Sequence, residues 1–208
     1  KIVNTTQGSG TGFGAGLYSE SSVVTLSNCL VKANHNDGGN AKGGGISVAN
    51  GILTLCDSVL ANNASATTYN KLGGGVYNAG SCLLRNCLVV GNVATEAGAG
   101  IYSLGPLLLE NCTVANNSGH GIYRGNGTAS VTNSILWGNS VDLSGVVTVG
   151  WSDSGNGVTS GVNGCLSVDP LFERGFYLAT NSPGVGQGAN LASTLYLISL
   201  TNKRFDNK

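Results

Sequence analysis

Hydrophobic residues along this chain come in short bursts of alternation. VTLSN (24–28), LTLCD (53–57), LLLEN (107–111) and SVTNS (130–134) each place an apolar residue at every second position. Period-two alternation predicts short strands with one face turned inward, and no useful length of the chain carries helical spacing. Each burst runs into an Asn or Asp that opens a related heptapeptide: NCLVKAN from Asn28, DSVLANN from Asp57, NCLVVGN from Asn86, NCTVANN from Asn111 and NSILWGN from Asn133. Aligned, these give a polar column (Asn28, Asp57, Asn86, Asn111, Asn133) and a small one (Cys29, Ser58, Cys87, Cys112, Ser134). An aliphatic column follows (Val31, Leu60, Val89, Val114, Leu136), and then a second polar one (Asn34, Asn63, Asn92, Asn117, Asn139).

The spacings between repeats are 29, 29, 25 and 22 residues. Periods of this size mark solenoids or arrays, because one unit cannot bury its own apolar face. A glycine turn precedes each strand pair: GAGLYS from Gly14, GGGISV from Gly43, GGGVYN from Gly73, GAGIYS from Gly98 and GHGIYR from Gly119. Three short strands per repeat, stacked in register, predict an all-β, single-stranded right-handed parallel β-helix of about five to six rungs. Amides carry both donor and acceptor, so the first polar column, Asn28, Asp57, Asn86, Asn111 and Asn133, is expected to form a rung-to-rung ladder at a bend.

Every insertion falls between the second Asn of one repeat and the glycine turn of the next: 35–42, 64–72, 93–97 and Ser118. Stacking puts them on one edge, the expected contact surface, where His35, Asp37, Tyr69, Lys71, Glu96 and His120 form a candidate binding set. Rungs are expected over 1–150. A last rung, a C-terminal cap and a tail are expected over 151–208, since an open solenoid edge needs cover. Strand alternation also turns Leu30, Val59, Leu88, Ile135 and Trp137 outward, an apolar face larger than a soluble monomer leaves bare. Either the C-terminal segment covers that face or it is an assembly surface.

Composition narrows the function classes. Ten basic and ten acidic residues cancel, which gives no footprint for nucleic acid or an anionic membrane. No apolar run is long enough to span a membrane as a helix. The chain begins at Lys1 and contains no Met, as expected of a processed or excised fragment. Three of the six cysteines share a repeat position with serine, which suits small buried thiols better than a disulfide framework. The ten acids are scattered, without an Asp-Asp or Asp-x-Asp pair, so the paired carboxylates of a glycosidase are not evident. His35 and His120 lie three repeats apart, C-x-x-C spacing is lacking, and Asp153-Ser-Gly-Asn156-Gly lacks the closing Glu of a calcium loop. No metal and no cofactor are expected.

The repeats GGGxY…N[CS]xVxxN resemble the right-handed parallel β-helix repeat proteins of bacterial surfaces, including autotransporter-type passenger regions and polymorphic outer-membrane proteins. Val168-Asp169-Pro170-Leu171-Phe172, Phe176-Tyr177-Leu178 and Asn181-Ser182-Pro183-Gly184 are similar to a segment that recurs after such helices in large anchored secreted proteins. The resemblance covers most of residues 14–190, with Gly186-Gln187-Gly188 where Asp-Ala-Gly is usual. It implies a secreted or cell-surface structural or adhesive module, with self-association, another surface protein or assembly into an extracellular filament as its partner contacts. The same fold hosts pectate lyases and polygalacturonases, so the alternative is a polysaccharide-binding or polysaccharide-degrading module using the loop edge.

Overall fold

The computed structural model describes residues 1–8, 12–65 and 71–189. These residues are nearly all β, with parallel sheets stacked in rungs as in a solenoid or β-helix. One sheet has seven strands: Ile2–Val3, Leu30–Lys32, Val59–Ala61, Leu88–Val90, Thr113–Ala115, Ile135–Trp137 and Asp153–Ser154. A second, of four strands, joins Thr6–Gln7, His35–Asn36, Ala64–Ser65 and Val93–Ala94. The third has six strands and follows the glycine turns, from Leu17–Glu20 to Val141–Ser144. The fourth, also six-stranded, runs from Val23–Ser27 to Thr148–Gly150. Every strand pair is parallel, so each rung copies the register of the last: Val31 on Leu60, Leu60 on Val89, Val89 on Val114, Val114 on Leu136.

Period-two alternation accounts for the core. That aliphatic column is completely buried, and Ile46, Val76, Ile101 and Ile122 of the third sheet and Leu55, Leu84, Leu109 and Val131 of the fourth complete the interior with it. Each fully buried aliphatic side chain contributes roughly 1.5–3 kcal/mol, and stacking makes that contribution available to every rung but the outermost.

The two Asn columns do different work, and this corrects the ladder expected at the first. Asn28, Asp57, Asn86, Asn111 and Asn133 hold φ between 50° and 54° at the bend between the fourth and seven-stranded sheets, and Trp151 continues the column at 50°. Asn and Asp tolerate this left-handed conformation better than other side chains, which explains their use there. The side-chain bond between rungs in that column runs from Asn86 Nδ2 to Asp57 Oδ1 (2.6 Å).

The asparagine ladder is built by the second column. Asn34, Asn63, Asn92, Asn117 and Asn139 are buried, and from Asn63 onward each Oδ1 accepts both the backbone N–H and the Nδ2–H of the Asn one rung before it. The other Nδ2 hydrogen of each goes to a carbonyl, such as Val31 O for Asn63 and Leu60 O for Asn92. The ladder is therefore directional. Thr5 opens it, donating from its backbone N and Oγ1 to Asn34 Oδ1, and Asp142 Oδ1 closes it by accepting from Asn139.

The glycine turns exist for this ladder. A Cβ on Gly75 would lie 2.6 Å from Gly100 O and 3.2 Å from Asn92 Nδ2, and Gly45, Gly100 and Gly121 meet Asn63, Asn117 and Asn139 in the same way. Only a residue without Cβ lets the amide and the neighbouring rung approach so closely.

After Ser154 the chain returns across the last rung. Trp151 N–H donates to Asn163 O, and Leu166 and Ser152 or Ser154 exchange backbone bonds. A short antiparallel hairpin follows, bridged at Phe172 and Leu178. Phe172 and Phe176 meet edge to face at 5.4 Å and pack on Ala61, Leu88, Val90 and Ala115. Of the outward residues proposed as an assembly face, Leu88 lies under this pair and Ile135 is buried as well, while Leu30, Val59 and Trp137 stay partly exposed. The chain's own C-terminal segment covers the part of that face formed by Ala61, Leu88, Val90 and Ala115. The tail 191–200 lies outside the described residues.

Candidate functional site

The insertions do share an edge. The four-stranded sheet starts each of the first three, and the isolated bridges Phe13–Lys42, Lys42–Leu72 and Leu72–Ala97 close them in register. On this edge His35 Nε2 sits 3.3 Å from Asp37 Oδ1, both partly exposed. Lys71 departs from its expected role as an exposed cation. It is fully buried, and its Nζ donates to Gly38 O at 2.6 Å, tying the 35–42 loop to the next. Glu96 is exposed, and its backbone N–H donates to Lys71 O. Tyr69 lies outside the described residues. His120 packs edge-on against Tyr123 at 4.9 Å. Burial lowers its pKa, so it is neutral at neutral pH, and its buried Nδ1 has no partner. The structure thus brings His35 and Asp37 together, turns Lys71 into a buried tie to Gly38 and sends His120 to an aromatic stack.

That stack is the feature the strand pattern did not single out. Tyr18, Ser47, Tyr77, Tyr102 and Tyr123 occupy one register position of the third sheet. Tyr77, Tyr102 and Tyr123 stack with ring centres 5.6 and 5.2 Å apart and planes within 4°. Phe13 stacks on Tyr18 at 5.1 Å. Where Ser47 interrupts the column, the Lys42 ammonium lies 5.3 Å from the Tyr77 ring centre and 5.5 Å from that of Phe13. The signal was present as Gly-x-Gly-aliphatic-Tyr at 14–18, 73–77, 98–102 and 119–123. Offset aromatic pairs of this kind add roughly 0.5–1.5 kcal/mol beyond area burial.

The stack's geometry limits its chemistry. Stacked rings turn their faces to one another along the rod, so the inner tyrosines offer edges and hydroxyls rather than a platform for a sugar ring. Tyr77 is only 4% exposed. Burial raises the pKa of the Tyr77 and Tyr102 phenols, the latter with added repulsion from Tyr123, Tyr77 and Glu96, so these hydroxyls remain protonated donors.

Four of the acids serve the scaffold. Asp57 accepts from Asn86, Glu110 pairs with Arg85 at 2.5 Å, Asp142 ends the amide ladder, and Asp153 accepts from Val168 N–H. Among the described residues, no three His, Cys, Asp or Glu side chains converge on a metal position. All six cysteines are free thiols. Burial pushes Cys82 and Cys112 far above the ordinary thiol range, which makes them inert fillers rather than nucleophiles. A shallow cavity at the C-terminal end, lined by Val147, Val149, Val158, Val162 and Cys165 among others, carries no charged side chain. Among the described residues no helix is long and apolar enough to cross a membrane. No protein-family model, curated protein or solved structure matches this chain.

Proposed function

We propose that the chain is a single-stranded right-handed parallel β-helix of about five to six rungs, closed at its C-terminal end by the 155–189 segment, that works as a structural and adhesive module at a bacterial cell surface. The observation that carries this reading is where the polar side chains go. Amides, serines, stacked tyrosines and the acids Asp57, Glu110 and Asp142 bind neighbouring rungs, leaving the inserted loops as the variable outward feature. The adhesive contact is assigned to the loop edge around His35, Asp37 and Glu96. Lateral assembly through Leu88 is left out, because the Phe172–Phe176 pair packs over Leu88, Val90 and Ala115. Polysaccharide binding at the loop edge is the contact chemistry to test first, with the Asp37 carboxylate accepting and His35 and the phenol edges donating hydrogen bonds to sugar hydroxyls.

A glycan array, paired with degradation assays on uronic-acid polymers, tests the reading. Binding without turnover, lost in His35→Ala with Asp37→Ala, supports it. Release of unsaturated or reducing ends by the purified chain overturns it in favour of an enzyme.

A further inference from the structure

The C-terminal strap is held to the rod at two places of opposite character. Phe172 and Phe176 grip the apolar face of Ala61, Leu88, Val90 and Ala115. Nearer the last rung the hold is polar: Leu166 bridges beside Asp153, and Val168 N–H donates to Asp153 Oδ1 at 3.2 Å. Asp153 extends an outward column that otherwise holds Leu30, Val59, Leu88, Thr113 and Ile135, and it is only 4% exposed. Its Oδ2 is buried without a hydrogen-bond partner. The charged groups that face it are both acids, Asp169 from the strap and Asp142 from the rod. Within the hairpin, Leu171 and Phe176 hold φ of 50° and 70°, a region that bulky side chains disfavour, so the closed strap carries backbone strain.

We propose that Asp153 is a proton-operated latch: as a neutral carboxyl it keeps the 166–179 strap closed, and as a carboxylate it loosens the strap and uncovers the Leu88, Val90 and Ala115 face. The ionised group has one buried oxygen with no donor and a like charge on the strap itself, two costs that opening relieves by hydration. Neutralisation removes the repulsion from Asp169 and the burial of an anionic oxygen, while Oδ1 still accepts from Val168.

The titration agrees in sign. Burial is the largest influence on Asp153 and raises its pKa from 3.8 to about 6; Val168 and Ser154 N–H groups oppose this, and Asp169 and Asp142 add to it. A carboxyl that binds its proton more tightly when closed favours closure fully below pH 3.8, and the advantage is lost as pH rises through about 6. The span corresponds to a change of at most on the order of a hundredfold in the closed-to-open ratio.

Hydrogen exchange of the whole chain, read by mass spectrometry from about pH 4.5 to about pH 8 with intrinsic rates corrected, tests the latch. Protection of 166–179 is expected to fall as pH rises to about 6 and to level off above it, with its midpoint below 6, while the rung strand Ser81–Arg85 stays flat. In Asp153→Asn the strap is expected to stay protected across the range. A flat wild-type profile, or an Asp153→Asn variant that keeps the pH dependence, overturns the proposal. Asp169→Asn, at an exposed strap position, is the second variant and should move the wild-type midpoint to lower pH. An unmoved midpoint counts against the latch even if Asp153→Asn does not fold.

Discussion

Asp142 Oδ1 accepts two hydrogen bonds from Asn139, from Nδ2 at 2.7 Å and from the backbone N–H at 3.2 Å. A directional amide ladder leaves two donors at its far end, and an acceptor-only group is what that end requires. Burial raises the Asp142 pKa, although the Asn139 donors and the Gly155 and Asn156 N–H groups pull it down. Asp142→Ala strands both donors in the core and should cost about 2–4 kcal/mol in chemical denaturation. Asp142→Asn keeps an acceptor and should cost less than half as much.

The glycine that admits the ladder should be equally intolerant. Gly75→Ala brings a methyl to 2.6 Å from Gly100 O, so the neighbouring rung must shift. A loss of about 2 kcal/mol or more is expected in the same assay, against a few tenths for an Ala placed at the open Gly8.

One substitution should go the other way. Thr113 is fully buried on the outer face of its strand, with Oγ1 unpartnered. Thr113→Val keeps the shape and removes the stranded hydroxyl, so the midpoint of unfolding should hold or rise by about 1 kcal/mol.

Global stability should fall with rising pH between about 4 and about 6, because the Asp153 pKa is raised in the fold and the proton is lost across that window. Asp142 acts in the same direction. Thermal melts of Asp153→Asn should be flatter than wild type through this range and higher at pH 7.

Much of this fold was legible in the chain, since a period of 22 to 29 residues with period-two alternation leaves few other ways to bury Val31, Leu60 and Val89. The loop edge followed from where the insertions fall. The two Asn columns were harder to tell apart, because a left-handed bend and an amide ladder both select Asn. A discriminating signal existed: the bend column admits Asp57, while all five repeats carry Asn in the ladder column, where donor and acceptor are both needed. Lys71 could not be read as buried, since its place depends on Gly38 in another loop. The cover over Leu88 was equally hidden, because Phe172 and Phe176 arrive from more than eighty residues away.

The ladder column holds the rod and the bend column shapes it, a division of roles that one comparison tests. Equilibrium denaturation of Asn92→Ala beside Asn86→Gly separates the two. Asn92→Ala breaks side-chain bonds to the rungs on both sides and should lose about 3 kcal/mol or more, whereas Asn86→Gly keeps the left-handed bend and should stay within about 1 kcal/mol of wild type. Equal losses at the two positions, or the larger loss at Asn86, would contradict it.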